Sequence, residues 1–247
     1  MTDLNSTAPH IHGTASFADL ADWGAQGGDL PAPGGATSHS TGRLLWKTPV
    51  RRPETGLWVC TPGRWRLSVP RDEFLWVVSG RTTYKGDAGD AVTVGPRDAV
   101  MFPAGWQGEA TVHETLRVTY ILSASEPMDS TPRVHQLLRD PQAASELKDW
   151  GVIPTMIEGE SRTAGLLLHR EADRTAECGF WTCTPGFWNC HVTSHEYCHF
   201  LEGRATYTHG ETGEVIEITP DTAALFPKDW KGTCRVHETV KKVYLIV

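Results

Sequence analysis

The sequence has little that would take it to a membrane, a nucleic acid or an oxidising compartment. No run of about 18 apolar residues occurs, so nothing in it reads as a membrane-spanning helix. Positive charge is in deficit: 23 Lys plus Arg stand against 30 Asp plus Glu, a net charge of −7. Nucleic acids and anionic membranes demand a basic face, so neither is an expected partner. Met1 to Leu20 lacks the basic and apolar regions of a secretory signal, and a cytoplasmic location is expected. No CxxC pair is present, which argues against a structural zinc knuckle. The six cysteines (Cys60, Cys178, Cys183, Cys190, Cys198 and Cys234) could form three disulfides. The strand-like apolar setting of four of them favours reduced thiols instead. Helical periodicity is scarce as well, and Ala143 to Trp150 carries the only clear case.

What the chain does have is a repeat. Gly56-Leu-Trp-Val-Cys-Thr-Pro-Gly-Arg-Trp65 returns as Gly179-Phe-Trp-Thr-Cys-Thr-Pro-Gly-Phe-Trp188. In the same frame Glu73 matches Glu196, and Gly80 to Tyr84 approximates Gly203 to Tyr207. One inserted residue later, Phe102-Pro-x-x-Trp-x-Gly108 matches Phe226-Pro-x-x-Trp-x-Gly232. Val112-His-Glu-Thr115 matches Val236-His-Glu-Thr239, and Tyr120 matches Tyr244. Matches of this density identify two tandem copies of one unit. The boundaries drawn from them are a tail and arm over 1–40, a first domain over 41–124, a connector with a short helix over 125–163, and a second domain over 164–247. The tail proper, 1–11, is polar and without periodicity, and Gly27 to Gly42 reads as an irregular arm.

Within each unit the pattern is that of strands. Gly56–Cys60, Trp65–Val69, Glu73–Ser79, Arg81–Lys85, Asp90–Val94, Ala99–Phe102, Gly108–Glu114 and Leu116–Leu122 are short runs of Val, Thr, Leu and aromatics between Gly and Pro turns. About eight short strands per unit predict small antiparallel barrels or jelly rolls, which leave no long exposed edge.

Gly186 to Gly203 concentrates potential ligands: Cys190, His191, His195, Glu196, Cys198 and His199. These residues resemble the first cupin motif, G-x5-H-x-H-x(3,4)-E-x6-G, with His191 on its second histidine, Asn189 on its first and Glu196 in place. Pro227 to Gly232 resembles the second motif, with Gly232 on its histidine position. The segment from Glu196 to Gly203, together with Phe226-Pro-x-x-Trp-x-Gly-Thr and His237-Glu-Thr-Val-Lys-Lys-Val-Tyr244, is similar to the cupin subfamily named after the ureidoglycine aminohydrolase cupin domain. The resemblance implies an all-β bicupin, two tandem RmlC-like jelly-roll barrels. It does not carry over an activity, because one fold hosts many functions.

Strand alternation in the cupin register turns Asn189, His191, Glu196, Cys198 and Cys234 into the second barrel, with Trp188 beside them. Cys190, Tyr197 and His199 then face out. Three readings of this cluster stand together. His191 and Glu196 form a reduced site for one divalent ion (zinc, iron, manganese or nickel), with the cysteines as further ligands. Or the same two residues are a metal-free acid and base acting on a small acid or carbonyl compound. Or they are a structural pair, with the cysteines as apolar filling. In the first unit Arg66 and Glu73 take the corresponding inward positions, as an ion pair or as a binder of a carboxylate ligand. The expected function is a bicupin that acts on or binds a small polar metabolite in its second barrel, as a lyase, isomerase or hydrolase. The alternative is a non-catalytic small-ligand or structural protein. A homodimer is compatible with either.

Overall fold

The computed structural model of the chain describes residues 10–12, 17–26, 37–47, 54–122, 136–139, 146–170 and 177–246. Nineteen strands run through them. They are β1 (His10–His12), β2 (Ala21–Ala25), β3 (His39–Lys47), β4 (Glu54–Cys60), β5 (Gly63–Val69), β6 (Glu73–Gly86), β7 (Ala91–Val94), β8 (Asp98–Phe102), β9 (Trp106–Leu122) and β10 (Gln136–Arg139). There follow β11 (Lys148–Val152), β12 (Met156–Glu158), β13 (Arg162–Arg170), β14 (Glu177–Cys183), β15 (Gly186–His191), β16 (Glu196–His209), β17 (Val215–Ile218), β18 (Ala223–Phe226) and β19 (Lys231–Ile246). Among the described residues no helix is long and apolar enough to cross a membrane.

The chain folds as two compact units, residues 15–139 and residues 1–14 with 140–247. In the first the strands run β10-β8-β6-β9-β4-β3-β2, with β5 on β9 and β7 on β6. In the second they run β1-β18-β16-β19-β14-β13-β11, with β15 on β19, β12 on β15 and β17 on β16. All these pairings are antiparallel, and the two plans match except for β12, which pairs with β15 and has no counterpart in the first unit. Each unit curls into a jelly-roll barrel. The edge beside β8 is closed by β10, from the lead-in to the second copy, and the edge beside β18 by β1, from the lead-in to the first.

The curl comes from two long bent strands per barrel. The sequence predicts separate strands over Glu73–Ser79 and Arg81–Lys85, and over Gly108–Glu114 and Leu116–Leu122. Each pair is instead one continuous strand, β6 and β9. Their register shifts across Ser79 to Thr82, where Gly80 takes φ +89°. Any Cβ at Gly80, or at Gly203 in β16, would collide with a carbonyl oxygen of the paired strand, Thr115 or Thr239. Glycine is therefore required where the two long strands bend together.

The predicted connector helix is corrected. Ala143 to Ser145 lie outside the described residues, and Lys148 to Trp150 are strand. Asp149 Oδ1 accepts the Gly151 N–H at 2.7 Å, and Gly151 has φ +86°, a local turn that competes with a helix. Gly165 on β13 leaves room for the Trp150 ring, as Gly42 on β3 does for Trp23. Residues 1–9 of the tail, 27–36 of the arm, and 123–135 and 140–142 of the connector also lie outside the described residues. Each barrel has its own apolar interior, built around Trp65, Leu75, Phe102 and Val118 in the first and Trp188, Phe200, Phe226 and Val240 in the second.

Candidate functional site

The parity of β15 decides what the second barrel contains. Trp188 (5% exposed) and Val192 (7%) are buried in the interior, and Cys190 packs against the same cluster. Asn189 and His191, one residue out of step, lie on the other face and are exposed. The inward expectation for these two is therefore overturned: the His191 side chain is 48% exposed and sits 3.7 Å from the still more exposed Asp229. They line a shallow outer crevice of about 630 Å3 together with Pro154, Thr155 and Lys231. The cause is energetic. Burying the Trp188 indole is worth more than burying an imidazole and an amide that lack buried partners. Cys190, expected outside, goes inward for the same reason. Glu196, Cys198 and Cys234 do face the interior, and Tyr197 and His199 occupy the opposite face of β16, both buried.

The interior holds a cavity of about 250 Å3 lined by Trp181, Trp188, Cys190, Glu177, Glu196, Lys242 and Tyr244, among others. Sequence reasoning missed Lys242, the residue that organises it. Lys242 lies on β19, is 7% exposed, and donates from Nζ to Glu196 Oε1 at 2.7 Å and to Cys198 Sγ at 3.2 Å. The Cys198 thiol donates to the same carboxylate oxygen at 3.4 Å. The Lys242 ammonium also stands 4.6 Å from the centre of the Trp181 ring, a cation–π geometry. Burial works against its charge, yet the Glu196 carboxylate and the hydrogen bonds to Cys198 and Glu196 oppose this, and the ammonium is held above the usual lysine value. Burial pushes the Cys190 thiol up to about 12 and raises Cys198 and Cys234 too, so all three are neutral thiols near neutral pH. On the far wall Tyr244 Oη donates to Glu177 Oε1 at 3.4 Å, and Arg170 Nε donates to Glu177 Oε2 at 2.6 Å.

These residues do not fit a divalent metal ion. His191 is on the outer face, Asn189 is beside it, and Gly232 offers no side chain. Glu196, the one inward carboxylate of the expected pair, is bound by an ammonium that a metal ion would have to displace. Among the described residues no three His, Cys, Asp or Glu side chains gather closely enough to hold a metal.

The first barrel repeats the arrangement without the lysine. Its cavity, about 310 Å3, is lined by Trp58, Trp65, Leu67, Glu54, Glu73, Arg71 and Tyr120, among others. Trp58, Trp65, Glu54, Glu73 and Tyr120 stand where the second barrel has Trp181, Trp188, Glu177, Glu196 and Tyr244. Val118, 0% exposed, occupies the place of Lys242. The expected inward pair of Arg66 and Glu73 is not found. Arg66 lies on the outer face of β5 and clasps Asp87 with two hydrogen bonds of 2.7 and 2.8 Å, because Trp65, Leu67 and Val69 claim the inner face. Glu73 faces the cavity, and burial, opposed by Arg71, lifts its carboxyl to about 7.

A family model described as the EutQ-like cupin domain matches residues 48–120 and again 170–244. No curated protein matches. Among solved structures, a protein of unknown function of the DUF861 family from Pseudomonas syringae pv. tomato is 16% identical, with a TM-score of 0.75 over 97% of this chain and 99% of that one. Protein YlbA from E. coli, also DUF861, is 13% identical, with a TM-score of 0.58 over 84% and 82%. A variant of Bacillus subtilis oxalate decarboxylase is 12% identical, with a TM-score of 0.50 over 96% and 76%. At such identities the likeness extends to the fold alone.

Proposed function

Matched twice over more than half its length, the chain belongs to the EutQ-like cupin family, and on that premise we propose that its second barrel binds a small polar metabolite and acts on it by proton transfer. The observation that carries this reading is the Glu196–Lys242 pair, buried yet opening on the cavity. In this reading Trp181, Trp188 and Tyr244 hold the carbon frame of the ligand. Lys242, kept protonated, stabilises negative charge that develops on a ligand oxygen. Glu196 takes a proton from the adjacent carbon or heteroatom. Tyr244, with its hydroxyl on Glu177, fixes a second polar group. The reaction class is proton transfer beside a carbonyl, which serves lyase, isomerase or hydrolase chemistry alike, and no step is routed through a metal. Cysteines kept as thiols suit a reducing compartment, and the cytoplasm is proposed as the location.

The experiment is a screen of small carbonyl and carboxylic acid metabolites for turnover, with wild type, E196Q and K242M compared. Loss of turnover in E196Q with binding retained supports the reading. Wild-type turnover by E196Q removes it. Elemental analysis of protein purified without chelator belongs to the same experiment: a stoichiometric metal lost in E196Q would put an ion where we place a proton. A second reading, binding without turnover, is favoured by the crowding of Lys242, whose ammonium already meets Glu196, Cys198 and the Trp181 face. It gains if a ligand binds wild type saturably and leaves unchanged.

A further inference from the structure

We propose that the first barrel is a binding site in its own right, for a small organic ammonium ion seated between Glu73 and the Trp58 ring. The argument starts from the second barrel. There the matching carboxylate and tryptophan, Glu196 and Trp181, already enclose an ammonium, that of Lys242, at 2.7 Å from the carboxylate and 4.6 Å from the ring centre. The cage therefore encloses a cation in this barrel, and the chain supplies its own occupant. In the first barrel the cage walls are kept and the occupant is gone. Val118 stands on β9 where Lys242 stands on β19, paired with Val77 as Lys242 is with Phe200. Its short side chain ends in the apolar cluster instead of crossing to the carboxylate.

Charge in this cavity is otherwise settled. Glu54 takes Lys47 at 3.1 Å and Arg71 at 3.6 Å. Tyr120 is a neutral phenol, raised by burial. Glu73 is the lining carboxyl with no hydrogen-bond or ion-pair partner among the described residues. A carboxyl left so in an apolar barrel is held partly protonated, with a value near 7, and a cation arriving beside it favours the ionised form. The first cavity, about 310 Å3 against about 250 Å3, is also the larger, with room for what the missing lysine would have filled. The ligand class follows: a primary ammonium on a short carbon chain, its head on Glu73 and Trp58, its methylenes against Trp65 and Leu67.

The test uses the full chain and n-butylammonium, followed by ligand-observed NMR, with n-butanol as the neutral control. Wild type is expected to bind the ammonium saturably in the millimolar range, with E73Q and the alcohol each weaker by about tenfold or more. V118K, which would install the internal occupant, is expected to abolish binding. K242M, which empties the cage of the second barrel, is expected to gain a second site. The proposal is overturned if E73Q binds the ammonium as wild type does, if n-butanol binds equally well, or if wild type shows no saturable binding at tens of millimolar. Should V118K fail to fold, E73Q and the alcohol control still decide. The site lies in the other barrel from the reading of Glu196 and Lys242, so either can fail alone.

Discussion

At the scale of single residues, two glutamates at equivalent positions live under different rules because one neighbour differs. Glu196 has an ammonium within hydrogen-bond reach and Glu73 does not. Removing Lys242 leaves Glu196 and the Cys198 thiol buried without their donor, and breaking a buried pair costs more than replacing both members. K242M is expected to destabilise the second barrel by about 3 kcal/mol, with the E196Q/K242M double variant recovering part of the loss, as urea unfolding would measure. A double variant less stable than K242M would contradict this. For Glu73 the sign runs the other way. Its folded-state value, about 7, lies above the unfolded 4.5, so the native state holds the proton more tightly. Stability falls as pH rises from 4.5 toward 7, and the full penalty persists above 7. E73Q should therefore be more stable than wild type at pH 8, by on the order of 3 kcal/mol at most, and nearly equal to it at pH 4.5. An E73Q advantage that does not change between those two pH values would mean that folding does not raise the Glu73 carboxyl above its unfolded value.

At the scale of elements, alternation was legible and its phase was not. The strands of each barrel stand out in the sequence through Val, Thr and aromatic runs between turn residues, and alternation puts Tyr197 and His199 on the face of β16 that they occupy, away from Cys198 and Phe200. On β15 the motif register put the imidazole inside, and a slip of one residue sends every side chain to the other face. The tryptophans fix the phase, since Trp65 and Trp188 are buried in both copies. Reading the repeat for shared bulk, before reading it for ligands, would have turned Arg66, Asn189 and His191 outward. Lys242 also left a trace: it is a lysine directly before the buried run Val243 to Leu245, where the other copy has Val118. The bends of the long strands were less legible, because Gly80 and Gly203 look like ordinary turn glycines. They differ from one that is. Gly213 has φ +69° and open space around it, whereas Gly203 has φ +81° and the Thr239 carbonyl against it. G213A should cost about 1 kcal/mol, the left-handed backbone alone, and G203A clearly more, since its methyl must also push two paired strands apart. Equal denaturation midpoints for the two variants would show that the bend tolerates a side chain.

At the scale of the whole molecule, duplication has left two barrels of one plan with different cations at their cavities. The carboxylates, indoles and phenol are retained in both cavities, while in one Lys242 of β19 reaches Glu196 and in the other Arg71 pairs with Glu54 and leaves Glu73 without an ion pair among the described residues. The lead-ins to the two copies are retained as well, and they close the barrels crosswise: β10 pairs with β8, and β1 with β18. Neither lead-in strand, β1 of three residues or β10 of four, carries enough side chains for a period to show in the sequence. The pairing has a directional consequence. Removing residues 1–14 takes a strand from the unit that contains 140–247 and none from residues 15–139. The β18 edge, from Ala223 to Phe226, would then lose the β1 partner while keeping β16 on its other side. Amide exchange in the truncated chain should accelerate on β18 by about tenfold or more, through opening of an unpaired edge. The equivalent strand β8, still covered by β10, should exchange as in the full chain. Equal acceleration on β8 and β18, or on neither, would mean that β1 does not act as the closing strand of the second barrel.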